Sequence, residues 1–234
     1  MKRFYTDVAV TEADGGWQIT LEGRGVKTVK GAPQLLPTQS LAERLASEWA
    51  DQGEKIDPKT LPLRDMADYA LDIVSPDPST LAEKLTAYGD TDTLLYRADP
   101  EDALYSRQQE VWEPIVAGFE EREGVSLTRI SGIVHRPQDQ SVLARLGARL
   151  NAIEPFALAG IEAMTTLSAS LITGLSASLP EADPAALWEA ASLEEEWQAD
   201  LWGRDEEAEE RRAKRQADFL LACEFTRLSQ VRPQ

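Results

Sequence analysis

Histidine and cysteine are nearly missing from this chain: His135 and Cys223 are the only examples of each. A single cysteine excludes an internal disulfide and any multi-cysteine metal site, and it suits a reducing compartment. A single histidine leaves no second imidazole for zinc ligation and no ready partners for a histidine-based triad. Both read as structural. Cys223 is flanked by Leu220, Leu221 and Phe225 as a core thiol would be, and His135 falls in the run Ile130-Ser131-Gly132-Ile133-Val134-His135-Arg136-Pro137, a short strand and turn. Basic residues are also scarce, with 24 Lys and Arg against 41 Asp and Glu, a net charge of −17 and a pI near 4.5. That balance argues against binding nucleic acid or an anionic membrane, both of which need a basic surface, and leaves a basic or apolar protein partner open.

Several motifs are lacking too. Gly25-Val26-Lys27-Thr28 has no earlier glycine at the spacing a phosphate loop requires, so it reads as a turn. There is no dinucleotide glycine fingerprint, nucleophile elbow or metal-ligand cluster, so no cofactor or metal is expected, and an enzyme would have to work with carboxylates. Between Pro155 and Pro180 the only charge is Glu162, but Thr165, Thr166, Ser168, Ser170, Thr173, Ser176 and Ser178 make the segment too polar for a membrane span. It reads as a helix packed all round by others. Met1–Asp7 has neither an apolar leader nor an Arg/Ser-rich one, which points to a cytoplasmic protein without membrane insertion.

What is present describes an α+β chain, predominantly α. Its 42% hydrophobic content over 234 residues can bury about 70% of the unfolded surface. Residues 1–37 carry short alternating runs: Phe4–Val10, Trp17–Glu22, Val26–Val29 and Gln34–Pro37, separated by Gly-rich turns. Thr38 is an N-cap for a helix from Ser40 to about Gln52, with Leu41, Leu45 and Trp49 as its core stripe. Asp57–Leu63, with two prolines, reads as a linker. The expected organisation is a small antiparallel β domain with one helix at 1–62 and a multi-helical domain at 63–234. Helices are predicted from Met66, Pro78, Leu104 and residue 140, then from Pro155 and Pro184, and from Asp205 to about Leu228. Asp90 and Asp92 lack the remaining ligands of a calcium loop and read as capping or buried hydrogen-bonding groups.

The most unusual stretch is Leu193-Glu194-Glu195-Glu196-Trp197-Gln198-Ala199-Asp200-Leu201-Trp202-Gly203. As a helix, at about 100° per residue, it places Leu193, Trp197 and Leu201 on a buried stripe and turns Glu195 and Glu196 toward solvent. Glu194 is pressed against the apolar side, where a carboxylate must be paired, hydrogen-bonded or used. One use is hydrolysis with Asp90 or Asp92 as the second acid. An acidic scaffold or nucleic-acid mimic is a third reading.

At Leu193–Gln198 with Trp202-Gly203, the chain resembles the assembly chaperones for the α subunit of F-type ATP synthase, in a bacterial form. The resemblance extends to Arg3-Phe4-Tyr5, Leu21-Glu22-Gly23-Arg24, Leu36-Pro37-Thr38, Glu48-Trp49 with Gln52 and Ile56, Leu61-Pro62-Leu63, Asp90-Thr91-Asp92-Thr93, and Gln109 with Trp112-Glu113-Pro114. Departures are Glu22 for aspartate, Val29 for proline, Leu61 for methionine, Trp197 for tyrosine, and Arg204–Glu207 in place of an acidic-histidine stretch. The resemblance implies a non-catalytic chaperone, monomeric when free, that holds the unassembled α subunit until the β subunit replaces it. It implies partner contacts at Glu194, Glu195, Gln198 and Trp202. It makes Trp49, Trp197, Gly203, Asp90 and Asp92 motif residues of structure.

Overall fold

The computed structural model describes residues 1–132 and 134–230. Ile133, inside the predicted strand-and-turn run, lies outside the described residues. The described residues form two compact units, one made of 1–78, 154–160 and 224–230, the other of 79–132, 134–153 and 161–223.

The first unit is built on a small antiparallel sheet. β1 (Val8–Ala13) and β2 (Gly16–Leu21) form a hairpin closed by Asp14-Gly15, where Gly15 at φ 92° supplies the left-handed backbone a two-residue turn needs. The predicted strand at Phe4–Val10 is displaced, because Phe4–Asp7 is tied elsewhere. Tyr5 is buried with its hydroxyl donating to Trp49 O at 2.8 Å, and the Glu22 carboxylate accepts from Thr6 N and Asp7 N. β3 (Arg24–Gly25) and β4 (Leu35–Leu36) share the other edge of β2 at opposite ends, pairing Leu21 with Arg24 and Trp17 with Leu36. The predicted strand at Val26–Val29 reduces to a bridge between Lys27 and Pro33.

Helix α1 (Gln39–Ala50) starts where the sequence indicates, with Thr38 Oγ1 accepting from Leu41 N. Leu41, Leu45 and Trp49 are buried, at the spacing of one helix face, and α1 packs on β1 and β2. The Asp57–Leu63 stretch is a short 3-10 turn at Pro58–Thr60 leading into α2 (Pro62–Tyr69), with Leu61 and Leu63 buried. Glu48 explains that tight packing. Its carboxylate reaches across to cap α2, accepting from Leu63 N at 2.9 Å and Arg64 N at 3.1 Å. α2 continues into a π-turn at Ala70–Val74.

The second unit is helical. It contains α3 (Pro78–Asp90) beyond its first residue, α4 (Ala103–Glu123) and α5 (Gln140–Asn151). α4 runs through Pro114 and buries Gln108, Trp112, Val116 and Phe119 along one stripe. β5 (Tyr96–Arg97) and β6 (Ile130–Ser131) add a short parallel pair. The expected single helix after Pro155 is two, α6 (Pro155–Ser168) and α7 (Leu171–Ala177). The break falls at Ala169, at φ 51°, after which Ser170 caps α7 by accepting from Thr173 N. Folding back is possible because of Gly174, where an added Cβ would stand 2.3 Å from Thr165 Oγ1 and 3.2 Å from Ile161 O. The helix expected from Pro184 is likewise divided at Ser192 into α8 (Pro184–Ala191) and α9 (Leu193–Trp202), and α10 (Glu206–Ser229) follows. Cys223 is buried.

Candidate functional site: the α9 helix

The α9 helix carries no fully buried residue, so its side chains divide between half-covered and open positions. The Ser192 break frees it from the direction of α8, and Gly203 ends it with a φ of 99° while its N–H closes on Ala199 O. Glu194 is half-buried near the start. Its Oε1 accepts from Gln108 Nε2 at 2.7 Å, so its partner is a neutral amide of α4. Gln108 is itself held on three sides: its Oε1 accepts from Ala98 N at 2.7 Å and its main-chain carbonyl from Arg97 Nη1 at 2.8 Å. Arg97 is 4% exposed, lies over the Trp112 ring at 5.2 Å and pairs with Glu113. Burial pushes the Glu194 carboxyl above its ordinary value, and the Gln108 hydrogen bond only partly opposes this.

Glu195, expected to be solvated, is exposed and Glu196 is partly so, and both pair with arginines of α10. Arg215 Nη1 donates to Glu195 Oε1 at 2.9 Å, and Glu196 is held between Arg212 at 2.7 Å and Arg204 at 2.9 Å. Arg204 also reaches Asp200 and Glu209, and its hydrogen bonds to Asp200 and Glu196 raise its guanidinium further above the usual range. These contacts tie the body of α9 to α10. Beside them runs an open groove of about 450 Å³ whose lining includes Glu195, Gln198, Ala199, Gly203, Arg211 and Arg215.

The far end of α9 overturns one expectation. Leu201, expected on the buried stripe with Trp197, is 63% exposed, and Trp202 is 87% exposed. Trp197 is half-buried. The stripe fails because neighbouring helices cover only the first part of α9, so periodicity alone does not decide burial at its open end. At about 100° per residue, Leu201, Gln198, Trp202 and Glu195 all fall within about 100° of Glu194 around the helix. One side of α9 therefore runs from a half-buried carboxylate to two large apolar side chains in solvent.

Asp90 and Asp92 have other employment. Asp92 is fully buried, accepting from Leu94 N at 3.0 Å and from Ile172 N at 2.9 Å at the start of α7. Burial raises its carboxyl to about 6 despite those donors. Asp90 Oδ1 accepts from Gln138 N at 2.6 Å, and Oδ2 faces His135 Nε2 at 3.4 Å, with Tyr96 Oη at 2.7 Å from His135 Nδ1. Glu194 is thus bonded to an amide, and these two aspartates to backbone donors and an imidazole, so each of the three acids has its own partner. Trp49 is buried, edge-on to Tyr5 at 6.0 Å. The residues that sequence reasoning missed are Gln108 and Arg97. Gln108 stands on the Trp112-Val116-Phe119 stripe, and a polar group on a buried stripe is the same signal that singles out Glu194.

Among the described residues no helix is long and apolar enough to cross a membrane, and no acidic, histidine or cysteine cluster could hold a metal. The fold and the α9 face define a mainly helical α+β protein with an exposed apolar, acid-flanked helix end. The ATP12 chaperone protein family profile matches residues 2–120, and the chain belongs to that family. It is similar to the crystal structure of Atp12 from Paracoccus denitrificans, 36% identical, with a TM-score of 0.93 and 98% of each chain covered. A mutant of that Atp12 matches with the same figures. The mitochondrial atp12 protein of Schizosaccharomyces pombe is 28% identical over 224 residues, covering 89% of this chain and 76% of the relative. The family carries the description of a chaperone protein and supports a chaperone role in ATP synthase assembly.

Proposed function

We propose that this protein is a non-catalytic chaperone that binds the unassembled α subunit of ATP synthase and keeps it soluble until the β subunit takes its place. The observation that carries the reading is the side-by-side exposure of Leu201 and Trp202 on a helix whose body is tied to α10 by ion pairs. Large apolar side chains kept in water cost solubility unless a partner covers them, and a tryptophan beside a leucine on a fixed helix suits an anchor. Glu194, Glu195 and Gln198 flank that anchor as polar contacts, with Trp197 and Gly203 setting the direction of the helix. Gln108 holds the Glu194 carboxylate in place for the same surface. The hydrolase alternative loses its support, because Glu194 is bonded to Gln108 while Asp92 is occupied by the backbone of α7.

Co-expression tests the reading. With this protein present, the α subunit alone is expected in a soluble one-to-one complex. Equal aggregation of α with and without it would sink the proposal.

A further inference from the structure

The second surface open to a partner is the free edge of the sheet. In the β1–β2 hairpin a two-residue turn closes on the Ala13–Gly16 pair, and at the other end Glu22 N donates to Asp7 O. The odd-numbered residues of β1 therefore face β2 with their backbone groups, and Val8, Val10 and Glu12 direct theirs outward. Among the described residues no backbone hydrogen bond reaches those outward groups. Soluble proteins ordinarily blunt such an edge with lysine, proline or a bulge. Val8-Ala9-Val10-Thr11-Glu12-Ala13 has neither lysine nor proline, and its register runs without interruption.

We propose that β1 takes an extended segment of the client protein as an added strand. This rests on the reading that the protein binds an unassembled subunit, and it supplies a contact separate from α9. The chemistry of the segment follows from the register. Val8, Val10 and Glu12 stand opposite Leu21, Ile19 and Trp17, so their side chains share the face on which Ile19 and Leu21 are buried. An incoming strand matches that face with apolar residues beside Val8 and Val10 and a lysine or arginine beside Glu12. Exposed Asp7 and Asp14 at the two ends favour basic residues there as well. A second copy of this chain is the poorer occupant, because it would bring its own acids and a net charge of −17 to the same edge. Main-chain hydrogen bonds would give the affinity and the alternating side chains the selectivity.

The test uses the full chain with isolated α subunit, measuring hydrogen exchange at the amides of Val8, Val10 and Glu12 together with binding by the Val10→Pro and Glu12→Lys variants. Proline at position 10 removes an outward N–H and leaves the ladder to β2 intact, as edge strands allow. Complex formation is expected to slow exchange at those amides, and each variant is expected to bind at least tenfold more weakly. If Val10→Pro fails to match the wild-type circular dichroism, Glu12→Lys and the wild-type exchange data decide. Unchanged exchange with full binding by the variants overturns the edge proposal and leaves the α9 reading standing. No complex with the wild-type chain contradicts both. A concentration-dependent dimer of the chain alone that Val10→Pro abolishes overturns the proposal in favour of self-association.

Discussion

Glu194 is a half-buried carboxylate with one neutral amide as its partner, and its pH behaviour follows from the burial. Burial holds its carboxyl above the ordinary value in the folded state, so the protonated form is favoured by folding. Stability from this group is therefore greatest at low pH and falls as pH rises through its raised value. Glu194→Gln keeps an oxygen for Gln108 Nε2 and removes the titration. The variant is expected to be at least as stable as the wild type at neutral pH in urea denaturation, with the difference shrinking as the solution is acidified. A variant that loses structure at pH 7 would return Glu194 to a purely structural role. Gln108→Leu is the complementary change. It strips a donor from Glu194 and an acceptor from Ala98 N, and should cost about 1–3 kcal/mol in the same assay. Glu194 was visible in the sequence because an acid sat against an apolar stripe. Its partner was not, because Gln108 lies 86 positions away and only the fold brings the two together.

At the scale of elements, caps and breakers were the most legible features. Thr38 starts α1, Pro184 opens α8 and Gly203 ends α9 as their chemistry requires. Breaks that depend on tertiary contact were hidden: Ala169 interrupts an apolar run because Gly174 lets α7 return against α6. Glu195 stays in solvent as expected, but the ion pairs that it and Glu196 make were hidden for a similar reason, since Arg212 and Arg215 come from α10. Two helix starts lend themselves to measurement. Glu48 caps α2 from a buried position, and Glu48→Ala should destabilise by about 1–3 kcal/mol through unpaired backbone N–H groups. Trp49→Ala, one residue on, should cost about 3–5 kcal/mol by leaving a cavity beside Tyr5. Asp92 serves the start of α7 with a carboxyl raised to about 6 from an ordinary 3.8. The folded state then binds the proton more tightly than the unfolded chain, so this group's contribution declines as pH rises from about 4 to about 6 and is flat above. In Asp92→Asn that slope should vanish from the pH profile of unfolding, whatever the constant effect of the amide. A slope that persists unchanged would mean Asp92 titrates normally.

For the whole molecule, composition excluded more than it assigned. One cysteine excluded an internal disulfide and a multi-cysteine metal site, and the excess of acid argued against nucleic acid, which left protein contact open. The small sheet and the helical remainder were legible from alternation and from helix signals. The exposure of Leu201 was not. Periodicity placed Leu201 in the core, whereas the end of α9 extends past its covering helices and leaves Leu201 beside Trp202 in solvent. That pair is the centre of the account, and it can be tested without disturbing the fold because neither residue is buried. Leu201→Ser with Trp202→Ser should melt at the wild-type temperature and give the wild-type circular dichroism. The direct measurement is the amount of α subunit that each protein keeps soluble when the two are co-expressed. The account predicts that the double variant loses most of that capacity while remaining folded; a folded double variant that holds α in solution as well as the wild type would contradict it.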